Sequence, residues 1–208
     1  MIKAVIFDWS GVLTDDFAAC HRAAAKIFKK EGLDAPGIEK FRKIFNLPFM
    51  DFYRSEGIKM GMDEMRKIFF SEYDKSGGNN IFPFVTETLD YLKNRGIQMG
   101  ILSSHPHDVL VRELKHNGLA VFFHEVMGSA YDKRKVIRDF IKRFDAKPGE
   151  MIFVGDMVHD VEAGKTAGIM TGAVLSGYHT KKRLEDKEPN IIMNDIRDLK
   201  SVMDGVFI

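Results

Sequence analysis

Four short apolar runs in this chain each end in residues that can do chemistry. The first is followed by Asp8-Trp9-Ser10-Gly11 and the second by Ser103 and Ser104. The third, past Gly128-Ser129, leads to Asp132-Lys133, and the fourth to Gly155-Asp156 with Asp160 close behind. Taken singly, an Asp or Ser in such a position is a turn former or a helix cap. Taken together they supply carboxylates, hydroxyls and an ammonium group. Carboxylates beside a lysine suit a hard divalent cation with oxygen ligands, and Mg²⁺ takes few carboxylates while keeping several waters. A cation, an ammonium group and a hydroxyl around one point match the oxygens of a phosphoryl group. Asp8 is then a ligand or a nucleophile, because a carboxylate can attack phosphorus and divide a difficult hydrolysis into two easier steps. There is no His/Cys cluster at zinc spacing and no GxxxxGK(S/T) phosphate loop.

For these residues to meet, the runs that carry them must lie side by side and point the same way. Ile2–Phe7, Gln98–Leu102, Glu125–Met127 and Met151–Val154 read as buried strands, as do Met170–Leu175 and, more weakly, Ile191–Met193. Amphipathic segments of helical length separate them. Phe84–Asn94 carries Val85, Leu89 and Leu92 on one face and stops at Gly96. Val136–Phe144 carries Val136, Ile137, Phe140, Ile141 and Phe144. This alternation predicts an α/β fold, a Rossmann-like doubly wound parallel sheet that binds ligands outside the carboxyl ends of its strands.

Residues 15–81 break the alternation with purely helical periodicity: Phe17–Lys30, Ile38–Phe45, Phe49–Ser55 and Met62–Tyr73. A crossover needs only a dozen or so residues, so 15–81 reads as an inserted helical cap domain, with 1–14 and 82–208 forming the core. Ser76-Gly77-Gly78-Asn79-Asn80 has the composition of a hinge.

Composition narrows the setting. The chain has 208 residues, a formal net charge of +1 and a single cysteine, Cys20. That charge gives no global pull toward nucleic acid or an anionic membrane, and no apolar run is long enough for a span. A lone cysteine forms no internal disulfide and fits a reducing compartment. The N-terminal run is too short for a signal-peptide core. The expectation is a cytoplasmic protein, a monomer or a homodimer, with no nucleic-acid or membrane partner. The short basic stretch Tyr178-His179-Thr180-Lys181-Lys182-Arg183 reads as a loop and helix beside the site.

These residues resemble the haloacid dehalogenase superfamily of aspartyl-phosphate-forming hydrolases. Phe7-Asp8-Trp9-Ser10-Gly11-Val12-Leu13 resembles its first motif, hhhDxDGT(L/V), and Gly100-Ile101-Leu102-Ser103-Ser104 its second. Asp132-Lys133 is similar to the third, and Val154-Gly155-Asp156-Met157-Val158-His159-Asp160 to the GDxxxD form of the fourth. Asp15 also falls where many members carry Asp. The helical insertion after the first motif, with its Asn46-Leu47-Pro48 turn, resembles the cap of the phosphoglycolate-phosphatase-like branch. The resemblance implies that Asp8 is the nucleophile and one Mg²⁺ ligand, that the Ser10 main chain is a second, and that Asp156 and Asp160 complete the set. It implies that Ser103, with Ser104 beside it, binds a phosphoryl oxygen, and that Lys133 neutralises Asp8 and phosphate together; Lys135 is the fallback lysine. From the cap, Asn46, Phe49, Tyr53 and Arg54 are candidates for contacting the leaving group. The stripe Phe41, Phe45, Phe49, Phe52, Phe69 and Phe70 reads mostly as the cap's own core, with part of it available for an apolar pocket or a dimer face.

One residue departs from the family pattern. Phosphatases of the superfamily carry a second Asp two residues after the nucleophile, which protonates the leaving alcohol and later activates water. Here that position is Ser10. A hydroxyl is a poor general acid, and such catalysis is worth about 10²–10⁴-fold. Four readings follow: a phosphatase for good leaving groups, a phosphonate-type C–P hydrolase using a cap lysine (Lys26, Lys29, Lys30 or Lys43), a phosphotransferase, or a non-catalytic binding module. The phosphatase is favoured, because the other polar residues are all in place. His105, just past the second motif, is a candidate replacement acid.

Overall fold

In a computed structural model of the protein, which describes residues 1–75 and 80–206, six parallel strands form one sheet. The elements in chain order begin with β1 (Ala4–Phe7), α1 (Phe17–Lys30), α2 (Ile38–Ile44), α3 (Phe49–Ser55), α4 (Met62–Lys75) and α5 (Val85–Asn94). They continue with β2 (Gln98–Leu102), α6 (His107–His116), β3 (Glu125–Met127), α7 (Lys133–Phe140) and β4 (Met151–Gly155). The last are α8 (Val158–Ala167), β5 (Met170–Val174), α9 (Lys181–Glu185), β6 (Ile191–Met193) and α10 (Leu199–Met203). The spatial order is β3-β2-β1-β4-β5-β6. Strand order reverses between β1 and β4, and the crevice above such a switch point is where ligands of open α/β sheets bind.

β1 shows why the sheet forms. All four of its residues are buried, Val5 and Phe7 toward one apolar layer and Ala4 and Ile6 toward the other. Successive side chains of a strand point to opposite faces, so a run apolar at every position suits a central strand covered on both sides. It pairs with β2 on one side, Phe7 opposite Ile101, and with β4 on the other, Phe7 opposite Val154. Asp8 and Gly155 therefore leave the sheet at the same level.

One helix differs from the expected 136–144. Asp132 accepts the Arg134 amide at 3.3 Å and starts α7 at Lys133, and the tail tightens into a 3-10 turn over Ile141–Arg143. The polar first turn has no apolar periodicity to announce it, yet it is what turns Lys133 inward.

The chain leaves the sheet and returns along a single seam: Thr14 bridges both Ser10 and Ile81, and Asp15 donates its amide to Asn80 at 2.8 Å. Between them, α1 packs along α4 and, with α2 and α3, encloses an aromatic cluster that includes Phe28, Phe41, Phe52 and Tyr73. Met157 and Tyr178, from loops at the strand ends, join this cluster, so the helical layer sits on the edge where the polar residues emerge. Ser76–Asn79 of the expected hinge lie outside the described residues. Among the described residues no helix is long and apolar enough to cross a membrane.

Candidate active site

Asp8, Lys133, Asp156 and Asp160 meet above the switch point. Lys133 Nζ lies 2.8 Å from Asp8 Oδ2 and 2.6 Å from Asp160 Oδ1, with its side chain wholly buried. Asp8, Asp156 and Asp160 each present an oxygen, all within 4.8 Å of one another. Backbone amides fix the carboxylates: Trp9 donates to Asp8 Oδ1 at 2.7 Å, Met157 to Asp160 Oδ2 at 3.0 Å and Tyr178 to Asp156 Oδ2 at 2.6 Å. Glycines make the room. A Cβ on Gly11, which has φ +74°, or on Gly177 would collide with the Asp156 carboxylate. Only glycine combines that backbone with that approach.

The electrostatics is that of a crowded, dry site. Burial raises the Asp8 pKa despite the Lys133 ammonium beside it. Burial, with Asp160 and Asp8 as like-charged neighbours, raises Asp156 well above the ordinary carboxylate range. Burial also works against the Lys133 ammonium, but Asp160 and Asp8 outweigh it and the Lys133 pKa stands above its usual value. Three carboxylates thus share one ammonium. The buried Asp156 Oδ1 has no hydrogen-bond partner among the described residues, and an all-oxygen donor set with a spare carboxylate oxygen fits a hard divalent cation.

The remaining expected residues fall into three groups. Ser10 and Ser104 are half-buried and line one cavity together with Asp8 and His105. Ser103 is buried beneath it, its Oγ accepting the His105 amide at 3.2 Å. Phe49 and Tyr53 also line the cavity. Asn46 and Arg54 do not. Asn46 is half-buried with an unpartnered Oδ1. Arg54 is exposed and donates to the Ile58 carbonyl at 2.6 Å, because α3 buries its Phe52–Tyr53 side and turns Arg54 outward. Lys135 is exposed beside Asp132. Lys26, Lys29, Lys30 and Lys43 are exposed too, and none lines the cavity. A Schiff-base lysine has no candidate among them. The Phe stripe divides: Phe52 is core, Phe41 is buried but also reaches the cavity, and Phe45, Phe49, Phe69 and Phe70 are half-buried on the cavity wall.

Several polar residues give no such sequence signal. Arg66 on α4 is the arginine that lines the cavity, with Phe69 and Phe70 three and four positions on; that helical spacing is the available clue. Asp16, not Asp15, is buried, bonded by Tyr73 Oη at 2.9 Å and Tyr178 Oη at 3.3 Å, and burial raises its pKa to about 6. His105 packs against Phe70 and Tyr73, with Nε2 3.4 Å from Glu113 Oε2, which also accepts Trp9 Nε1–H at 2.9 Å.

The basic stretch at 178–183 fastens the helical layer to the sheet. Arg42 donates to the Gly177 carbonyl at 2.6 Å, and Arg183 donates to the carbonyls of Arg42 and Phe45 at 2.9 and 3.0 Å. His179 Nδ1 accepts the Val158 amide at 3.0 Å, so Nε2 carries the proton and donates to the Phe45 carbonyl at 2.9 Å. Protonation would break the first of these bonds, and burial with the charges of Arg183 and Arg42 lowers the His179 pKa to about 3. The unfolded chain takes up that proton first, near 6.5. The contribution of His179 to stability is therefore complete above pH 6.5 and is lost as pH falls toward 3. Against His179→Gln, the wild-type advantage in urea should shrink by about 1.4 kcal/mol per pH unit below 6.5. A gap that stays constant between pH 7.5 and 5 would show that His179 does not titrate this way. Asp16 has the opposite sign, its contribution falling as pH rises through about 6, and the paired comparison cancels it.

Comparison with characterised proteins agrees with this architecture. The family model described as haloacid dehalogenase-like hydrolase matches residues 5–174. A pyrophosphatase PpaX of Oceanobacillus iheyensis is 26% identical over 99% of this chain and 99% of its own. Phosphoglycolate phosphatase 1 of Pseudomonas aeruginosa is 24% identical over 95% of this chain and 78% of its own. A solved haloacid dehalogenase-like hydrolase from Streptococcus pneumoniae superposes with a TM-score of 0.81 at 22% identity, over 97% of this chain and 98% of that one.

Proposed function

Since the chain belongs to the haloacid dehalogenase-like hydrolase family, we propose that it is a Mg²⁺-dependent phosphatase of small phosphorylated metabolites, working through an aspartyl-phosphate on Asp8. The observation that carries this reading is the Asp8–Lys133–Asp160 chain, with Asp156 in the same cluster, at the switch point. The phosphatases named among its relatives support it. We take 15–81 as the cap and 1–14 with 82–208 as the core.

Asp8, Asp156 and Asp160, with the Ser10 main chain, would hold the cation. When bound it supplies charge neutralisation between the attacking carboxylate and the phosphate. Lys133 offsets part of the burial that disfavours the Asp8 carboxylate and lowers the repulsion that an incoming dianion meets. Ser103 and Ser104, at the end of β2, donate to phosphoryl oxygens. An Asp8 oxygen attacks phosphorus, the bond to the leaving oxygen breaks, and that oxygen departs with the electron pair. Water then attacks the phosphorus, the bond to Asp8 breaks, the carboxylate is regenerated and the water's protons go to phosphate and solvent. Ser10 is a poor proton donor to the leaving oxygen at neutral pH. Proton delivery falls to His105 or to solvent, and good leaving groups are favoured.

The test is phosphate release from a panel of phosphomonoesters, acyl phosphates and phosphonates, with Mg²⁺ and with EDTA. Metal-dependent release from acyl or aryl phosphates is expected, with Ser10→Asp extending turnover to alkyl phosphates. Silence on the whole panel from both proteins would end the phosphatase reading.

A further inference from the structure

The cavity that opens on Asp8 has a volume of about 110 Å³ and an unusual wall. Aromatic side chains from both layers surround it: Phe45, Phe49, Phe69 and Phe70 from the helical layer and Tyr131 from the loop after β3. Phe49 and Tyr131 meet edge to face at 5.4 Å across the two layers. A small anionic hydroxy acid would leave most of this aromatic wall uncovered. A single aromatic ring would fill it: an engineered apolar cavity of roughly 150 Å³ takes up benzene.

The wall has one arginine. Arg66 is half-buried, and neither a hydrogen bond nor an ion pair joins it to a described residue. The other cation of the site, Lys133, is already held between Asp8 and Asp160. A guanidinium with no partner among the described residues, beside aromatic faces, suits a carboxylate carried on a ring. The edge next to Asp8 is lined by Ser104 and by Ser10, whose side chain is hydrogen-bonded to Asp16. A phenol, with a pKa of about 10 as in tyrosine, leaves without the proton that an alkoxide needs.

The geometry points to an aryl phosphate bearing an acidic substituent as the substrate class: phosphate at Asp8, ring between the aromatic walls, acid at Arg66. This rests on the phosphatase reading above. In the reaction the Asp8–phosphorus bond forms, the phosphorus–phenol oxygen bond breaks, and the phenolate leaves with the electron pair and takes a proton from solvent.

Initial rates with Mg²⁺ on carboxyphenyl phosphate, phenyl phosphate and phosphoglycolate test it. Carboxyphenyl phosphate should exceed phosphoglycolate in kcat/KM by at least about 10-fold. Arg66→Met should raise KM for carboxyphenyl phosphate several-fold more than for phenyl phosphate. Phosphoglycolate turned over as well as the aryl esters, or an equal loss on both aryl esters in Arg66→Met, would overturn the assignment while leaving the phosphatase reading intact. If no phosphomonoester is turned over, the phosphatase reading fails instead. The cavity is then judged by thermal shift with the non-hydrolysable carboxyphenylphosphonate against carboxymethylphosphonate. A larger shift with the aryl compound leaves the cavity as a binding site for a ring-borne phosphoryl group rather than a substrate site, and equal shifts remove that too.

Discussion

Asp8→Asn is expected to lower phosphate release by at least about 10³-fold with the fold intact. The amide is nearly isosteric with the carboxylate but is no nucleophile toward phosphorus. Two opposing effects hold stability near the wild-type value. The substitution removes a carboxylate whose ionisation burial opposes and which repels Asp160, and it removes one of the two partners of Lys133. Lys133 keeps the other, Asp160, at 2.6 Å. A melting temperature within roughly 5 °C of wild type is expected, so the loss reads as chemistry. Retention of more than a tenth of the wild-type rate would exclude Asp8 as the group that attacks.

Lys133→Met is the stability counterpart. Methionine fills much of the lysine volume but leaves Asp8, Asp156 and Asp160 buried with no ammonium between them. Removing one member of a buried ion pair costs about 3–5 kcal/mol, or roughly 10 °C in a chain of this size. In EDTA the variant should melt that much below wild type, and millimolar Mg²⁺ should recover more for the variant than for wild type, because a cation replaces the missing charge. Equal melting temperatures in EDTA would mean that the carboxylates protonate at little cost and that Lys133 does not hold the cluster together.

What could be read in the sequence were residues whose placement follows from a strand end. Asp8, Ser103, Asp156 and the Asp132-Lys133 pair each follow an apolar run, and parallel strands bring their carboxyl ends to one edge whatever the loops do. What was hidden depends on helix phase and on packing between layers. Arg54 and Arg66 are equally basic, and only the buried side of each helix determines which one reaches the cavity. Asp15 and Asp16 are neighbours, and the turn into α1 buries the second. The 178–183 stretch reads as a loop and helix beside the site, but nothing in it announces that Tyr178 and His179 are buried and that Arg183 is bonded to the backbone of the helical layer. Local composition carries no trace of partners more than a hundred residues away.

The stretch that fastens the two layers has a consequence for how the protein exchanges its ligands. Tyr178 grips Asp156 through its amide, while Gly177 and His179 on either side hold Arg42 and Phe45. Three consecutive residues thus report to both the carboxylate cluster and the helical layer, with no slack between. Whatever steadies Asp156 must tighten the seal by the same free energy with which the seal steadies Asp156, since such coupling is reciprocal. Any ligand that steadies Asp156 and the contacts that hold the helical layer to the sheet therefore strengthen one another.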